Sequence, residues 1–236
     1  MKEQKNIMKK IIDNMSKIIV GKEIPSKLMV IALASSGHVL IEDVPGIGKT
    51  TMACAMARSL GLSFNRIQFT PDILPSDITG FSVYNQKTNE FEYRNGSIMS
   101  NIILADEINR TSPKTQASML EAMEEKQVTV DGKTYKLPKP FMVIATLNPI
   151  EYMGTYPLPE AQLDRFLMKI SMGYPTRTEE IDVLYRFQKN NPLEDLDSVV
   201  TLDELNELQQ RVKEVKVADS LAEYIIEIIS STRRHE

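Results

Sequence analysis

The sequence predicts an α/β protein: a central, mainly parallel five-stranded sheet followed by a small all-helical unit. Three observations carry this. Short apolar runs at 38–41, 64–69, 101–105, 141–146 and 166–170 have the length of buried strands. Helical stretches at 49–60 and 114–125 separate several of them, the alternation expected of an α/β sheet. After Gly173-Tyr174-Pro175 the strand pattern stops and only helical periodicity remains.

Taken in chain order, Ile7, Met8, Ile11, Ile12, Met15, Ile18 and Ile19 recur at helical spacing, predicting an amphipathic helix over 4–19. A turn at Val20-Gly21 precedes a second helix carried by Leu28, Ile31 and Ala32, which ends near Gly37. The strands and helices of the sheet then follow, with two stretches beyond what a bare α/β core requires. One is LPSDITGFSVYNQKTNEFEYRNGSI, 74–98, with strand-like halves around a polar turn at 85–89. The other is QVTVDGKTYKLP, 127–138, where Asp131-Gly132 marks a hairpin turn between alternating segments. Each is either a stabilising ornament or a projecting surface that moves with function. Beyond residue 176, TRTEEIDVLYRFQ, TLDELNELQQRV and ADSLAEYIIEIIS read as helices, the last with an apolar stripe of Leu221, Tyr224, Ile225, Ile228 and Ile229. This divides the chain into an α/β unit over 1–175 and a helical unit over 176–236.

Composition excludes several classes. The 236 residues are enough for one large and one small unit, and 42% apolar with 25% charged is an ordinary soluble balance. A formal net charge of −4 gives no general attraction to nucleic acid or anionic membrane. The single cysteine, Cys54, excludes an internal disulfide and a thiolate metal cluster, and beside Ala53 and Met56 it reads as inert. Charges interrupt the N-terminal MKEQKNIMKKIIDNM, so it resembles neither a signal peptide nor a membrane span, and a cytoplasmic location is expected. His38 falls in a buried strand and His235 in the tail, with no partners at metal-ligand spacing. The sequon Asn95-Gly96-Ser97 is without consequence in a cytoplasmic chain.

Two motifs carry chemistry. EDVPGIGKTT, 42–51, is a glycine-rich turn leaving a strand and opening a helix. Gly46 and Gly48 let backbone amides turn toward phosphate oxygens at a helix N-terminus; Lys49 would bridge the β- and γ-phosphates and the Thr50 hydroxyl would ligate magnesium. The nucleotide-holding stretch is Pro45, Gly46, Ile47, Gly48, Lys49, Thr50 and Thr51. Asp43 stands where the strict pattern has glycine, a tolerable residue in a turn. The second motif, IILADEINR, 102–110, opens from an apolar strand into Asp106, suited to outer-shell magnesium binding, and Glu107, suited to orienting and polarising a water. Asn148, after the strand 141–146, would lie beside them and hold the water or sense the γ-phosphate. Arg165 either makes a structural ion pair with Asp164 or Glu160 or reaches a neighbouring subunit's γ-phosphate; spacing alone favours the former.

Assembled, HVLIEDVPGIGKTT, RIQFTPDILPSDITG, VYNQKTNEFEYRNG, ADEINR, PKTQASMLEAMEEKQVTVDG, VIATLNP and GTYPLPEAQLDRF resemble the MoxR family of AAA+ P-loop ATPases, over essentially the whole chain. Leu147, where glutamine is usual, and Ser97-Ile98-Met99, where Pro-Ile-Phe is usual, depart from it outside the catalytic positions. The resemblance implies ATP/ADP and Mg2+ as ligands, Asn148 as sensor 1, and Arg165 as an arginine finger acting across subunits. It also implies that Val20 and Gly21 flank the adenine, that 74–98 is the helix-2 insert, and that 127–138 is the pre-sensor-1 hairpin. Homo-oligomers, usually hexameric rings, are expected with it, as are protein clients and a partner bearing a von Willebrand A domain. In the family the helical lid continues past TRRH to a Ser-Pro-Arg segment supplying sensor 2, which this sequence does not reach. A shortened lid with weakened coupling to hydrolysis is therefore expected, and the stripe 221–229 partly uncovered.

The leading expectation is a Mg-ATP hydrolase that remodels or activates protein complexes. Alternatives are a magnesium-chelatase-like motor, a nucleic-acid-linked motor, against which the acidic balance argues, and a nucleotide-gated scaffold without turnover.

Overall fold

The computed structural model describes residues 2–149, 155–188 and 192–234; His235 lies outside them. In chain order the elements are α1 (Lys2–Ser16), α2 (Glu23–Ala34), β1 (Val39–Glu42), α3 (Lys49–Ser59), β2 (Phe64–Gln68), α4 (Pro75–Thr79), β3 (Gly80–Asn85), β4 (Glu90–Asn95) and β5 (Ile102–Asp106). There follow α5 (Pro113–Glu125), β6 (Gln127–Val130), β7 (Lys133–Lys136), β8 (Met142–Leu147), α6 (Glu160–Leu163), β9 (Met168–Ile170), α7 (Arg177–Phe187), α8 (Leu202–Lys213) and α9 (Asp219–Arg234).

The five apolar runs form one sheet in the order β2-β5-β8-β1-β9, and every neighbouring pair is parallel. Alternation within each run assigns its residues to two cores. Val39, Ile41, Ile102, Leu104, Met142 and Ile144 face α1, α2 and α3, where they meet Ile11, Met15, Met29, Leu33, Met52 and Met56. Leu40, Ile103, Ala105, Val143 and Ala145 face the other way, onto Met119, Leu120 and Met123 of α5. A strand covered on both faces needs apolar residues at nearly every position, which is why the inner strands β1, β5 and β8 are near-continuous apolar runs while the edge strands β2 and β9 carry Asn65, Arg66 and Lys169. At about 1.5–3 kcal/mol per buried large apolar side chain, this two-sided burial is the main force holding the site's strands in place.

Two element boundaries differ from expectation for local reasons. The first helix stops at Ser16 rather than 19, because Lys17 and Ile18 bond back to Asn14 and Met15 in a tighter turn. The last strand begins at Met168 rather than 166, because Arg165 and Phe166 still donate to Gln162 and Leu163 in the turn that leaves α6.

Both surplus stretches are antiparallel hairpins, β3–β4 after the short α4, and β6–β7 turning at Asp131-Gly132. They touch each other: Tyr93 stacks on Tyr135 with ring centroids 3.8 Å apart, and the Tyr93 hydroxyl donates to the Thr79 carbonyl at 2.5 Å. Beyond β9, Thr176 with Glu179 and Thr201 with Glu204 form capping boxes that start α7 and α8. Among the described residues of these helices, those of α8 join the core, through Leu205 and Leu208, together with Leu196 and Val200 before it, and the Gln209 amide donates to the Leu33 carbonyl at 2.7 Å. The α9 stripe of Leu221, Tyr224, Ile225, Ile228 and Ile229 is 39–59% exposed. No helix among the described residues is long and apolar enough to cross a membrane.

His38, at the entry to β1, is a core residue. The Val143 N–H donates to its Nδ1 at 2.9 Å, so Nε2 carries the proton and donates to the Met123 carbonyl at 3.2 Å. Burial lowers its pKa from 6.5 to about 4; the Met123 carbonyl opposes this and Lys126 adds to it. A folded-state pKa below the unfolded one means that this imidazole contributes stability above pH 6.5 that is lost as pH falls toward 4. The expected loss is about 2 kcal/mol between neutrality and pH 5. Urea unfolding at a series of pH values should show this dependence in the wild type. His38→Gln should be less stable at neutral pH and lack this part of the slope.

Candidate functional site

Because β5, β8 and β1 are adjacent and parallel, their carboxyl ends form one rim. From that rim the 43–48 loop leaves β1 and enters α3, Asp106 ends β5, and Asn148 follows β8. All three meet in a cleft of about 340 Å³ lined by Pro45, Gly46, Gly48, Lys49, Thr50 and Thr51 on one wall. Arg66, Gln68, Asp106, Glu107 and Asn148 line the other.

The loop is built to hold anions. Gly46 (φ 84°) and Gly48 (φ 91°) are left-handed; a Cβ at either would meet nothing within 4 Å, so it is the backbone conformation and not crowding that favours glycine here. Gly48 is the N-cap of α3, whose first amides and dipole face the cleft. Lys49 is buried, and its ammonium donates to the Asp43 carbonyl at 2.6 Å. Burial pulls its pKa below the ordinary lysine value, against the pull of Asp106, Asp43 and Glu107.

On the opposite wall, the two acids are held by partners from neighbouring strands. Arg66 of β2 donates to Asp106 Oδ2 through Nη2 (2.6 Å) and Nε (3.1 Å), and the Thr146 hydroxyl donates to Oδ1 at 2.6 Å. Thr146, fully buried in β8, also accepts from the Glu107 N–H at 2.8 Å, so one hydroxyl aligns both acids. Glu107 is left-handed (φ 57°), a conformation costly for a residue with a side chain. Its Oε2 accepts from Gln68 Nε2 at 3.0 Å and Arg110 Nη1 at 3.1 Å. Asn148 is buried beside them.

Across the loop lies a second, more apolar cleft of about 510 Å³ that shares Pro45, Gly46, Gly48 and Thr51 with the first. Ile19, Val20, Ile47, Tyr174, Val183 and Phe187 give it apolar walls of a kind that can take a purine. Val20 lines it and Gly21 does not. Gly21 instead has φ 68°, and a Cβ there would stand 2.1 Å from the Glu179 carboxyl carbon, so the glycine lets the first turn of α7 close in.

Asp43, read from sequence as a tolerable departure, is fully engaged. Its carboxylate accepts from the N–H groups of Val44 (2.9 Å), Met172 (2.8 Å) and Gly173 (2.7 Å) and from the Ser171 hydroxyl (2.8 Å). Partial burial works to raise its pKa, but these donors win and hold it below the usual aspartate value.

Arg165 is the exception to the gathering. It lines a separate cleft of about 310 Å³ with His38, Met123 and Glu124, at the start of β1 rather than its end. Its ion-pair partner is Glu124 of α5, correcting the expected Asp164 or Glu160. Asp164 lines the same cleft, where Met123 and Glu124 bring the end of α5 beside the turn that carries Arg165. Cys54 is half-buried, and burial pushes its thiol pKa up, as suits an unreactive position.

The donor set fits the implied ligands. Inward amides, an ammonium and hydroxyls match a polyphosphate. The Thr50 hydroxyl from one wall and the Asp106 carboxylate from the other offer a few hard oxygens, as suits a magnesium ion shared with phosphates. Among the described residues no group of three or more His, Cys, Asp or Glu could cage a metal by itself.

Comparison with known proteins agrees. Residues 38–168, from the entry to β1 into β9, match the family model described as the ATPase family associated with various cellular activities (AAA). The uncharacterized protein YeaC of Bacillus subtilis is 57% identical over 229 residues, 97% of this chain and 72% of that protein. The chaperone MoxR1 of Mycobacterium tuberculosis is 42% identical over the same share of this chain, which spans 60% of its length. A crystal structure of a candidate ATPase from Cytophaga hutchinsonii superposes with a TM-score of 0.89 at 43% identity, covering 98% of this chain and 70% of that one. A glycine-rich loop, a strand-end acid pair and this strand order thus coincide with matches at high identity, and the chain belongs to the MoxR family of AAA ATPases.

Proposed function

We propose that the protein hydrolyses Mg-ATP at the rim of its sheet and uses the cycle to remodel protein complexes. The observation that carries this is the meeting of Lys49, Thr50, Asp106, Glu107 and Asn148 in one cleft, next to an apolar cleft that shares the phosphate loop. The amides at the start of α3 and the Lys49 ammonium bind the terminal phosphates, and the second cleft takes the base against Val20 and Tyr174. Thr50 and Asp106 hold magnesium, which supplies neutralisation of charge developing on the phosphate oxygens. Glu107 orients the attacking water and accepts its proton; Asn148 fixes that water or reads the γ-phosphate. Gln68 and Arg110 hold the Glu107 carboxylate in place at the wall of the cleft.

Arg165 acts in a neighbouring copy's site, which its position away from its own phosphate cleft supports. Such a role requires a homo-oligomer, in keeping with the hexameric rings that the family resemblance suggests. Residues 176–236 serve as the lid over the base. Protein clients and a von Willebrand A domain partner rest on that resemblance and on the chaperone name of the relative MoxR1; the net charge of −4 does not favour nucleic acid.

Glu107→Gln should still bind ATP but turn it over about 10²–10⁴-fold more slowly, measured by phosphate release alongside equilibrium nucleotide binding. Lost binding together with lost turnover would return Glu107 to a structural role.

For the shared site, turnover per subunit should climb with protein concentration, and Arg165→Ala should lower it about 10³-fold or more. Mixing Arg165→Ala with Glu107→Gln should restore activity, since some interfaces then pair an intact Glu107 with an intact Arg165. No recovery in oligomers shown to mix would contradict a role across subunits.

A further inference from the structure

The chemistry proposed above makes no use of the Asp43 side chain, although it occupies the slot that the strict loop pattern gives to glycine. Three of its four carboxylate bonds come from residues 171–173, the stretch that leaves β9 and turns into α7. The fourth comes from Val44, within the loop itself. Its main chain reaches further: the carbonyl receives the Lys49 ammonium at 2.6 Å, and the N–H donates to the Leu147 carbonyl at 3.2 Å, one residue before Asn148. The same stretch is gripped from its other side, where the Lys22 ammonium donates to the Gly173 carbonyl at 2.8 Å. The next residues, Tyr174 and Pro175, are walls of the apolar cleft.

We propose that Asp43 is a positioning residue, a latch that ties the phosphate loop to 171–173 so that nucleotide seated on the loop fixes how α7 leaves the sheet. The inference rests on the nucleotide-site reading above and adds to it a route from phosphate to the helices after β9. A carboxylate suits the task because all four of its partners are donors and two oxygens can serve loop and stretch together. Glycine would leave both unconnected. Asparagine would turn an N–H₂ toward donors on one side or the other.

Amide hydrogen exchange tests the latch with intact protein, with and without Mg-ADP, in the wild type, Asp43→Asn and Ser171→Ala. Without nucleotide, Asp43→Asn should speed exchange at Met172 and Gly173 about tenfold or more. With Mg-ADP, the wild type should gain protection both in the first turn of α3 and along α7. Asp43→Asn should keep the first gain and lose the second. Ser171→Ala, which removes a single donor and keeps the fold should the stronger variant lose it, should fall between. Equal α7 protection in wild type and both variants, or a wild type that binds ADP without protecting α7, overturns the latch alone. A wild type that binds no ADP overturns the latch together with the site reading.

Discussion

The site depends on one constraint: β5, β8 and β1 run parallel, in register, with their carboxyl ends level. Leu104 pairs with Ile144 and Val39 with Ile144, so the three strands reach the rim together. Because strand direction and register are set by burial on both faces, the geometry of the rim is a consequence of packing. Slipping β8 by one residue would carry Thr146 out of reach of Asp106 and send its apolar neighbours to the wrong core. Thr146 makes the dependence concrete, since its single buried hydroxyl joins Asp106 to the Glu107 amide across two strands.

The rim also holds its charges in balance. Lys49, Arg66 and Arg110 stand among Asp106, Glu107 and Asp43, each cation paired with an acid or a carbonyl. A buried ammonium without such partners would give up its proton. Arg66 gives Asp106 a cationic partner, and Arg110 does the same for Glu107, with the neutral Gln68 amide as a second donor. The acids are therefore pre-oriented at the site proposed to gather negative phosphates. Such pre-orientation is how electrostatic catalysis avoids reorganising at the moment of reaction.

Much of this was legible in the sequence because it is local. The turn of 43–48 and the strand-end pair Asp106 and Glu107 are contiguous strings whose residue types dictate their own conformation, and the apolar runs around them fix the strands. What escaped was tertiary adjacency. Nothing in FNRIQ says that β2 lies against β5, so Arg66 and Gln68 could not be assigned to the acids. Thr146 reads as an ordinary strand residue until β8 is known to stand beside β5. Asp43 did leave a signal, as the residue that breaks the glycine pattern, but its partners at 171–173 follow β9, a strand far away in sequence that pairs with β1. Arg165 was read against its sequence neighbours, and its partner Glu124 belongs to a helix before β6. The α9 stripe shows the reverse case: its period was plain, and the structure leaves that face exposed.

The most direct test of the account is an experimental structure with magnesium and a non-hydrolysable ATP analogue. The account predicts the terminal phosphate between Lys49 and Asn148, Glu107 facing it, and the base in the apolar cleft against Val20 and Tyr174. A nucleotide bound elsewhere, or one whose phosphates turn away from the Asp106–Glu107 wall, would contradict it.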